Sequence, residues 1–166
     1  MQTEFNALDD SSRIWIYQSD RKINADEQKA ILSTALDFMT KWAAHGQDLK
    51  ASATIKYDHF LIIGTDESFN AASGCSIDSS VHFVQALAHK YGIDFFDRMK
   101  LAFLVENEVK IVPLNELKNE ISGQNIGIES PFFNNTITKK GDLNEQWLVK
   151  AGNSWLKRYF KVHESV

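Results

Sequence analysis

The chain has 166 residues, the size of one ordinary domain, with 43% hydrophobic and 24% charged residues. Two prolines and eight glycines exclude a collagenous or linker-dominated chain, and a net charge of −4 argues against nonspecific nucleic-acid binding by the whole domain. The longest apolar run, Phe60–Ile63, is far short of the roughly 20 residues of a membrane helix, so no membrane insertion is expected.

Met1–Asp10 carries Glu4, Asp9 and Asp10 and no apolar stretch, unlike a signal peptide. A lone cysteine, Cys75, cannot form an internal disulfide and suits a reducing compartment. The expectation is a cytoplasmic protein, a single globular domain over 1–166 with flexible ends at 1–12 and 163–166.

In chain order, Arg13–Ser19 reads as a strand with Ile14 and Ile16 on one face and Trp15 and Tyr17 on the other, hence central rather than at an edge. Asn24-Ala-Asp-Glu27 has the form of a capping box, and apolar residues at Ile31, Ala35, Phe38 and Trp42 follow at helical spacing. That helix runs over about 25–45, with His45 in its last turn and Gly46 as its stop. Ala51–Asp58 alternates like a half-exposed strand, and His59–Thr65 reads as a buried one. Tyr57–Asp58 between them favours a hairpin, although Tyr-Asp is a poor pair for the positive φ angles of a tight turn.

The polar loop Asp66–Ser76 feeds a second helix whose face runs Ile77, Val81, Val84, Ala88 and Tyr91, with Gly92 as its stop. Leu101–Val105 and Val109–Val112 form a hairpin about Asn107–Glu108, and a short helix over Leu114–Ile121 stops at Gly123. Asp142-Leu-Asn-Glu145 again has capping-box form and predicts a short helix through Trp147 and Leu148. Asn153 or Ser154 caps another through Trp155, Leu156 and Tyr159. The order β-α-β(β)-α-β-β-α predicts an α+β fold: helices on one face of a mainly antiparallel sheet, with a ferredoxin-like core and extra C-terminal helices as the specific candidate.

Trp15-Ile-Tyr-Gln-Ser-Asp-Arg21, Phe60-Leu-Ile-Ile-Gly-Thr-Asp-Glu67, Ser73-Gly-Cys-Ser-Ile-Asp78, Phe132-Phe-Asn-Asn135 and Ser154-Trp-Leu-Lys-Arg158 together resemble an uncharacterised family of small bacterial proteins that often carry the label "ABC transporter ATPase". The resemblance implies a bacterial source and transfers no site. The residues themselves argue against the activity in that label. A P-loop needs a lysine to neutralise phosphate within a glycine-rich turn, and Gly64–Ser76 contains none.

The candidate site is the loop and helix start Asp66, Glu67, Ser73, Gly74, Cys75, Ser76 and Asp78. Free amides and the helix dipole at such an end favour an anion and lower the pKa of a cysteine placed there. The leading reading is therefore a binding or accessory domain that holds a small anion or a protein partner at Asp66–Asp78. The alternative is a thiol-dependent enzyme using Cys75. The plain structural account is that Ser73 or Ser76 caps the helix and Cys75 is a small buried apolar residue, shielded from reagents.

A thiol enzyme also needs a base. His82 lies seven helical residues from Cys75, roughly 10 Å of rise, while Asp78 and His82 at i and i+4 share a face. As a carboxylate pair after a strand, Asp66 and Glu67 could also bind a cation or do acid–base work, joined by Asp20 only if the first strand and His59–Thr65 run parallel. His45, His59, His82, His89 and His163 show no metal-ligand spacing, so no metal or cofactor is expected.

From Lys139 onward the chain carries six Lys/Arg against three Asp/Glu, among them Lys139, Lys140, Lys150, Lys157, Arg158 and Lys161 beside Trp147, Trp155 and Tyr159. Nucleic-acid stacking is the third functional reading. Docking of an amphipathic helix on the core is the expected role of this segment.

Overall fold

The computed structural model describes residues 3–160. Where the sequence pointed to a single domain, the chain divides into two compact units: Met1–Asp97 with Thr138–Gly141, and Arg98–Ile137 with Asp142–Val166. Each has its own buried apolar cluster. Helices and antiparallel sheets make the fold α+β, as predicted. Among the described residues no helix is long and apolar enough to cross a membrane.

In the first unit β1 (Arg13–Gln18) is followed by helix α1 (Ala25–Lys41), a two-residue pair β2 (Ala43–Ala44) and β3 (Gln47–Asp48), the hairpin β4 (Ala51–Lys56) and β5 (Phe60–Thr65), and helix α2 (Gly74–Tyr91). The sheet order is β1-β5-β4, antiparallel throughout, with Trp15 opposite Ile63 and Ala53 opposite the same residue on the other side. All six residues of β5 are buried, so β5 and not β1 is the central strand. Thr138 and Lys139 lie along the outer edge of β1, where the Ile14 amide donates to the Thr138 carbonyl at 2.9 Å.

Both helices cover one face of this sheet. Ile31, Ala35 and Met39 of α1 and Val84 and Leu87 of α2 join Tyr17, Ala51, Ala53, Leu61 and Ile63 in one cluster. The opposite face holds Gly64, where a Cβ would come within 3.0 Å of Leu8 and 3.3 Å of Phe5 and Ile14. Phe5 opens a 3-10 turn that Leu8 closes and both are buried, so the expectation of flexibility over 1–12 fails for the described residues 3–12. Residues 163–166 lie outside the described ones. The β1-β5-β4 order with its two helices is not extended to a four-strand ferredoxin-like sheet, because the next strand pairs elsewhere.

The start of α1 is the capping box read from sequence. The Asn24 side chain accepts from the Glu27 amide at 2.8 Å, and the Glu27 carboxylate accepts from the Asn24 amide at 3.1 Å. Arg21 then grips Glu27 with two bonds of 2.9 and 2.7 Å and donates to the Tyr91 carbonyl at the end of α2 at 2.8 Å. The helix ends earlier than predicted. Trp42 turns extended because its buried ring sends Nε1 to the Ser76 carbonyl at 2.8 Å. His45 and Gly46 are not a helix stop but the positive-φ turn of the β2–β3 hairpin.

Tyr57 and Asp58 likewise both adopt positive φ, and the hairpin is real. Tertiary bonds hold this unfavourable pair in place: Gln28 donates to the Asp58 side chain at 2.8 Å and the Ile23 amide to its carbonyl at 2.8 Å. Along α2 the buried line is Ser76, Ser80, Val84 and Leu87. Ile77, Val81, Ala88 and Tyr91 are only half-buried. Two small serines let the helix lie close to its neighbours, a gain that apolar periodicity does not register.

The second unit begins with β6 (Lys100–Val105) and β7 (Glu108–Pro113), which turn at Glu106–Asn107, one residue earlier than expected. A 3-10 turn leads into α3 (Leu117–Ser122), and β8 (Pro131–Phe133) and β9 (Leu148–Lys150) complete a sheet of order β7-β6-β8-β9. Asp142–Glu145 opens no helix through Trp147: a 3-10 turn over Lys140–Leu143 precedes a strand that contains Leu148. Ser154 does cap the last turn, accepting from the Leu156 amide at 3.1 Å, but that turn is 3-10. It buries Leu156, with Phe160 just beyond it, and leaves Trp155 45% exposed, edge-on to Phe132 at 6.0 Å. The indole sealed in the core is Trp147, 2% exposed and bonded through Nε1 to Asn135 at 2.9 Å.

Trp147→Ala is therefore expected to cost about 3–5 kcal/mol, the range for a buried large aromatic, and Trp155→Ala about 1 kcal/mol. Chemical denaturation of the two variants checks the ranking. A second expectation concerns acid. The Arg21 bonds, then the Asn24 amide, hold the Glu27 carboxyl at about 2, against an ordinary 4.5. Its contribution is fully present above the unfolded value and is lost as pH falls from 4.5 toward 2. Solvent at the half-exposed Arg21 reduces that contribution to about 1–2 kcal/mol. Glu27→Gln should lower unfolding stability by that amount near neutral pH and converge with the native protein near the acid end.

Candidate functional site

The candidate loop leaves the end of β5 and is fixed from within. Asp66 is 7% exposed; its amide donates to the Lys50 carbonyl at 2.9 Å and its Oδ2 lies 3.8 Å from Lys50 Nζ. Its Oδ1 accepts from the Ser68 amide at 3.0 Å and from the Ser68 hydroxyl. Glu67 bends back to accept from the Ala72 amide at 3.1 Å. Asn70 Nδ2 donates to the Gln47 carbonyl at 3.0 Å and ties the loop to the β2–β3 hairpin. Both carboxylates are thus acceptors within the loop, and the acid–base reading of the pair loses its support. Asp20 lies at the other end of the sheet, since β1 and β5 are antiparallel, and there accepts from the Asp94 amide at 2.9 Å.

Ser73 and Ser76 form a reciprocal cap. The Ser73 hydroxyl accepts from the Ser76 amide at 3.2 Å, and the Ser76 hydroxyl accepts from the Ser73 amide at 2.6 Å. Both serines are occupied by the helix they start. The amides of Gly74 and Cys75, the first two of α2, have no acceptor among the described residues. A Cβ at Gly74 would meet nothing within 4 Å, so packing does not demand glycine there.

Cys75 is exposed, and the expectation of a buried, shielded thiol is overturned. At the second position of α2 its side chain points away from the Ser76–Ser80–Val84–Leu87 line that faces the core. Asp78 and His82 are exposed as well, and no hydrogen bond joins either of them to Cys75 among the described residues. His59 is buried at the opposite end of β5, its Nδ1 2.9 Å from the Tyr57 carbonyl. His45 and His89 are exposed at the β2–β3 turn and in the last turn of α2. His163 lies outside the described residues. Among those described, no group of three or more His, Cys, Asp and Glu side chains could hold a metal ion.

What the sequence reading missed is Phe69, 57% exposed in the middle of this otherwise polar loop. The available signal was a large apolar residue flanked by Ser68 and Asn70, outside any periodic segment. Of the basic C-terminal residues, Lys140 Nζ donates to the Leu8 and Asn6 carbonyls, and Lys150 pairs with Glu129 at 2.8 Å. Lys161 lies outside the described residues.

Exposure of Cys75 makes a direct expectation. A thiol reagent should label it in the folded protein at a rate within about tenfold of the unfolded chain, since access no longer limits the reaction. Labelling slowed by a thousandfold or more on folding would contradict the exposed position. Compared with family models, with curated proteins and with solved structures, the chain matches none.

Proposed function

We propose that the chain is a non-enzymatic binding or accessory domain whose working surface is Asp66–Asp78, and that this surface takes a protein segment rather than a small anion. The observation that carries the reading is Phe69, an exposed aromatic ring on a loop whose neighbouring polar groups are already bonded to one another. Such a loop is held in shape before a partner arrives, which lowers the ordering cost of association, and an aromatic side chain is a favoured anchor.

Charge favours the same choice. Between Gly64 and Asp78 there is no Lys or Arg, while Asp66, Glu67 and Asp78 are acidic, and the Lys50 ammonium beside this stretch lies 3.8 Å from the Asp66 carboxylate. A small anion would meet the amides of Gly74 and Cys75 in a stretch whose own charged side chains are all negative.

One observation favours the thiol-dependent alternative, the exposure of Cys75. Against it, among the described residues Cys75 has no hydrogen-bonded base, which nucleophilic catalysis by a thiol requires.

A protein segment and a small anion are separable with Cys75 as the attachment point. A photo-crosslinker on Cys75 should capture a protein partner in cells of the source organism, and Phe69→Ser should abolish capture while leaving the thermal unfolding midpoint unchanged. Inorganic phosphate should produce no saturable shift of the Gly74 and Cys75 amide resonances. Saturable phosphate binding at those amides, with capture indifferent to Phe69, would replace the protein partner by an anion.

A further inference from the structure

Most sheet edges in this molecule are covered or very short. The outer edge of β1 takes Thr138–Lys139, the edge of β4 accepts at the Ala51 carbonyl from the Thr3 amide at 3.0 Å, and β9 has three residues. β7 is different. It is six residues long and ends its sheet, and among the described residues no backbone hydrogen bond reaches its outer edge.

Its outward-facing groups follow from the register. Val105 and Glu108 bracket the two-residue turn Glu106–Asn107, so the pairs that exchange bonds with β6 are Val105/Glu108, Phe103/Lys110 and Leu101/Val112. The Leu114 amide donating to the Met99 carbonyl at 2.7 Å continues the same series. Val109, Ile111 and Pro113 therefore direct their main-chain groups outward. Pro113 has no N–H to offer and the positive-φ turn closes the other end, which leaves Glu108–Val112 as the pairing window.

Charge then selects the occupant. Glu108 is exposed and has no ion pair among the described residues, and two positions on along the same face stands Lys110, 3.1 Å from Glu120. We propose that the outer edge of β7 pairs antiparallel with the same edge of a second copy of this chain, about a two-fold axis at Val109. In this register the Val109 main chains exchange two hydrogen bonds, and each Glu108 faces the partner's Lys110. The pairing one step along would set Lys110 against the partner's Lys110, and like charges directly opposite are destabilising. The half-buried Val109 and Ile111 lie in the seam. A short ladder of this kind holds a weak dimer that dissociates on dilution.

Sedimentation equilibrium over a wide concentration range tests this. The full chain should show a monomer–dimer equilibrium, and Glu108→Lys should raise the dissociation constant roughly tenfold or more, because two attractive pairs become repulsive. Added salt should weaken the native dimer and strengthen that of Glu108→Lys. Mixing Glu108→Lys with Lys110→Glu should restore dimers, since the mixed pair opposes Lys to Glu at both positions. Circular dichroism controls for folding, and if Lys110→Glu does not fold, Glu108→Lys with its inverted salt response decides alone. A native protein that stays monomeric at its solubility limit, or a dimer indifferent to Glu108→Lys, would overturn the proposal.

Discussion

Six consecutive buried residues in β5 constrain everything else in the first unit. Phe60–Thr65 has a strand on each side and a covered surface on each face, so its backbone groups are paired by β1 and β4 and its side chains must be met from above and below. The two helices supply one cover, over Leu61 and Ile63. The other begins at Gly64, which leaves room for Phe5, Leu8 and Ile14 where any larger residue would collide. An N-terminal stretch of polar appearance is thereby drawn into ordered structure, because Phe5 and Leu8 within it are buried against that face at Gly64.

Polar contacts in this unit act chiefly as joints between elements. The Arg21 guanidinium ties the capping box of α1 to the last carbonyl of α2, that of Tyr91. The Trp42 indole does the same at the other end, ending α1 and holding the first turn of α2 through the Ser76 carbonyl. With both ends tied, the start of α2 is set in place, and with it Gly74 and Cys75. The loop before it is tied by Asp66, Glu67 and Asn70 to residues in the loop and the adjoining strands. The polar groups of this surface are thus bonded within the fold, while Phe69 and Cys75 stay exposed on it.

Three hairpins turn on pairs of positive-φ residues, His45–Gly46, Tyr57–Asp58 and Glu106–Asn107, and only the first contains glycine. Left-handed backbone at the other two pairs costs free energy that local sequence does not recover. For Tyr57–Asp58 the compensation is visible in Gln28 and Ile23, whose bonds to Asp58 come from the neighbourhood of α1. Local sequence therefore does not announce the turn at Tyr57–Asp58, because the bonds that hold it come from distant residues.

The amino-acid sequence by itself determined the α+β class, the Asn24–Glu27 capping box, a buried strand within His59–Thr65, the stop of α2 at Gly92 and the short helix that stops at Gly123. These depend on contacts a few residues apart, and periodicity and capping chemistry report such contacts directly. Tertiary structure alone decided that Cys75 faces solvent, that Ser76 and Ser80 rather than Ile77 and Val81 line the core, that Trp147 is sealed while Trp155 is not, and that β1 lies at an edge covered from residue 138 onward. Each of those outcomes rests on which distant segment arrives at a given face. A side chain's own neighbours in the chain carry no record of that arrival, because burial is set by whole surfaces meeting and not by the residue that ends up beneath them.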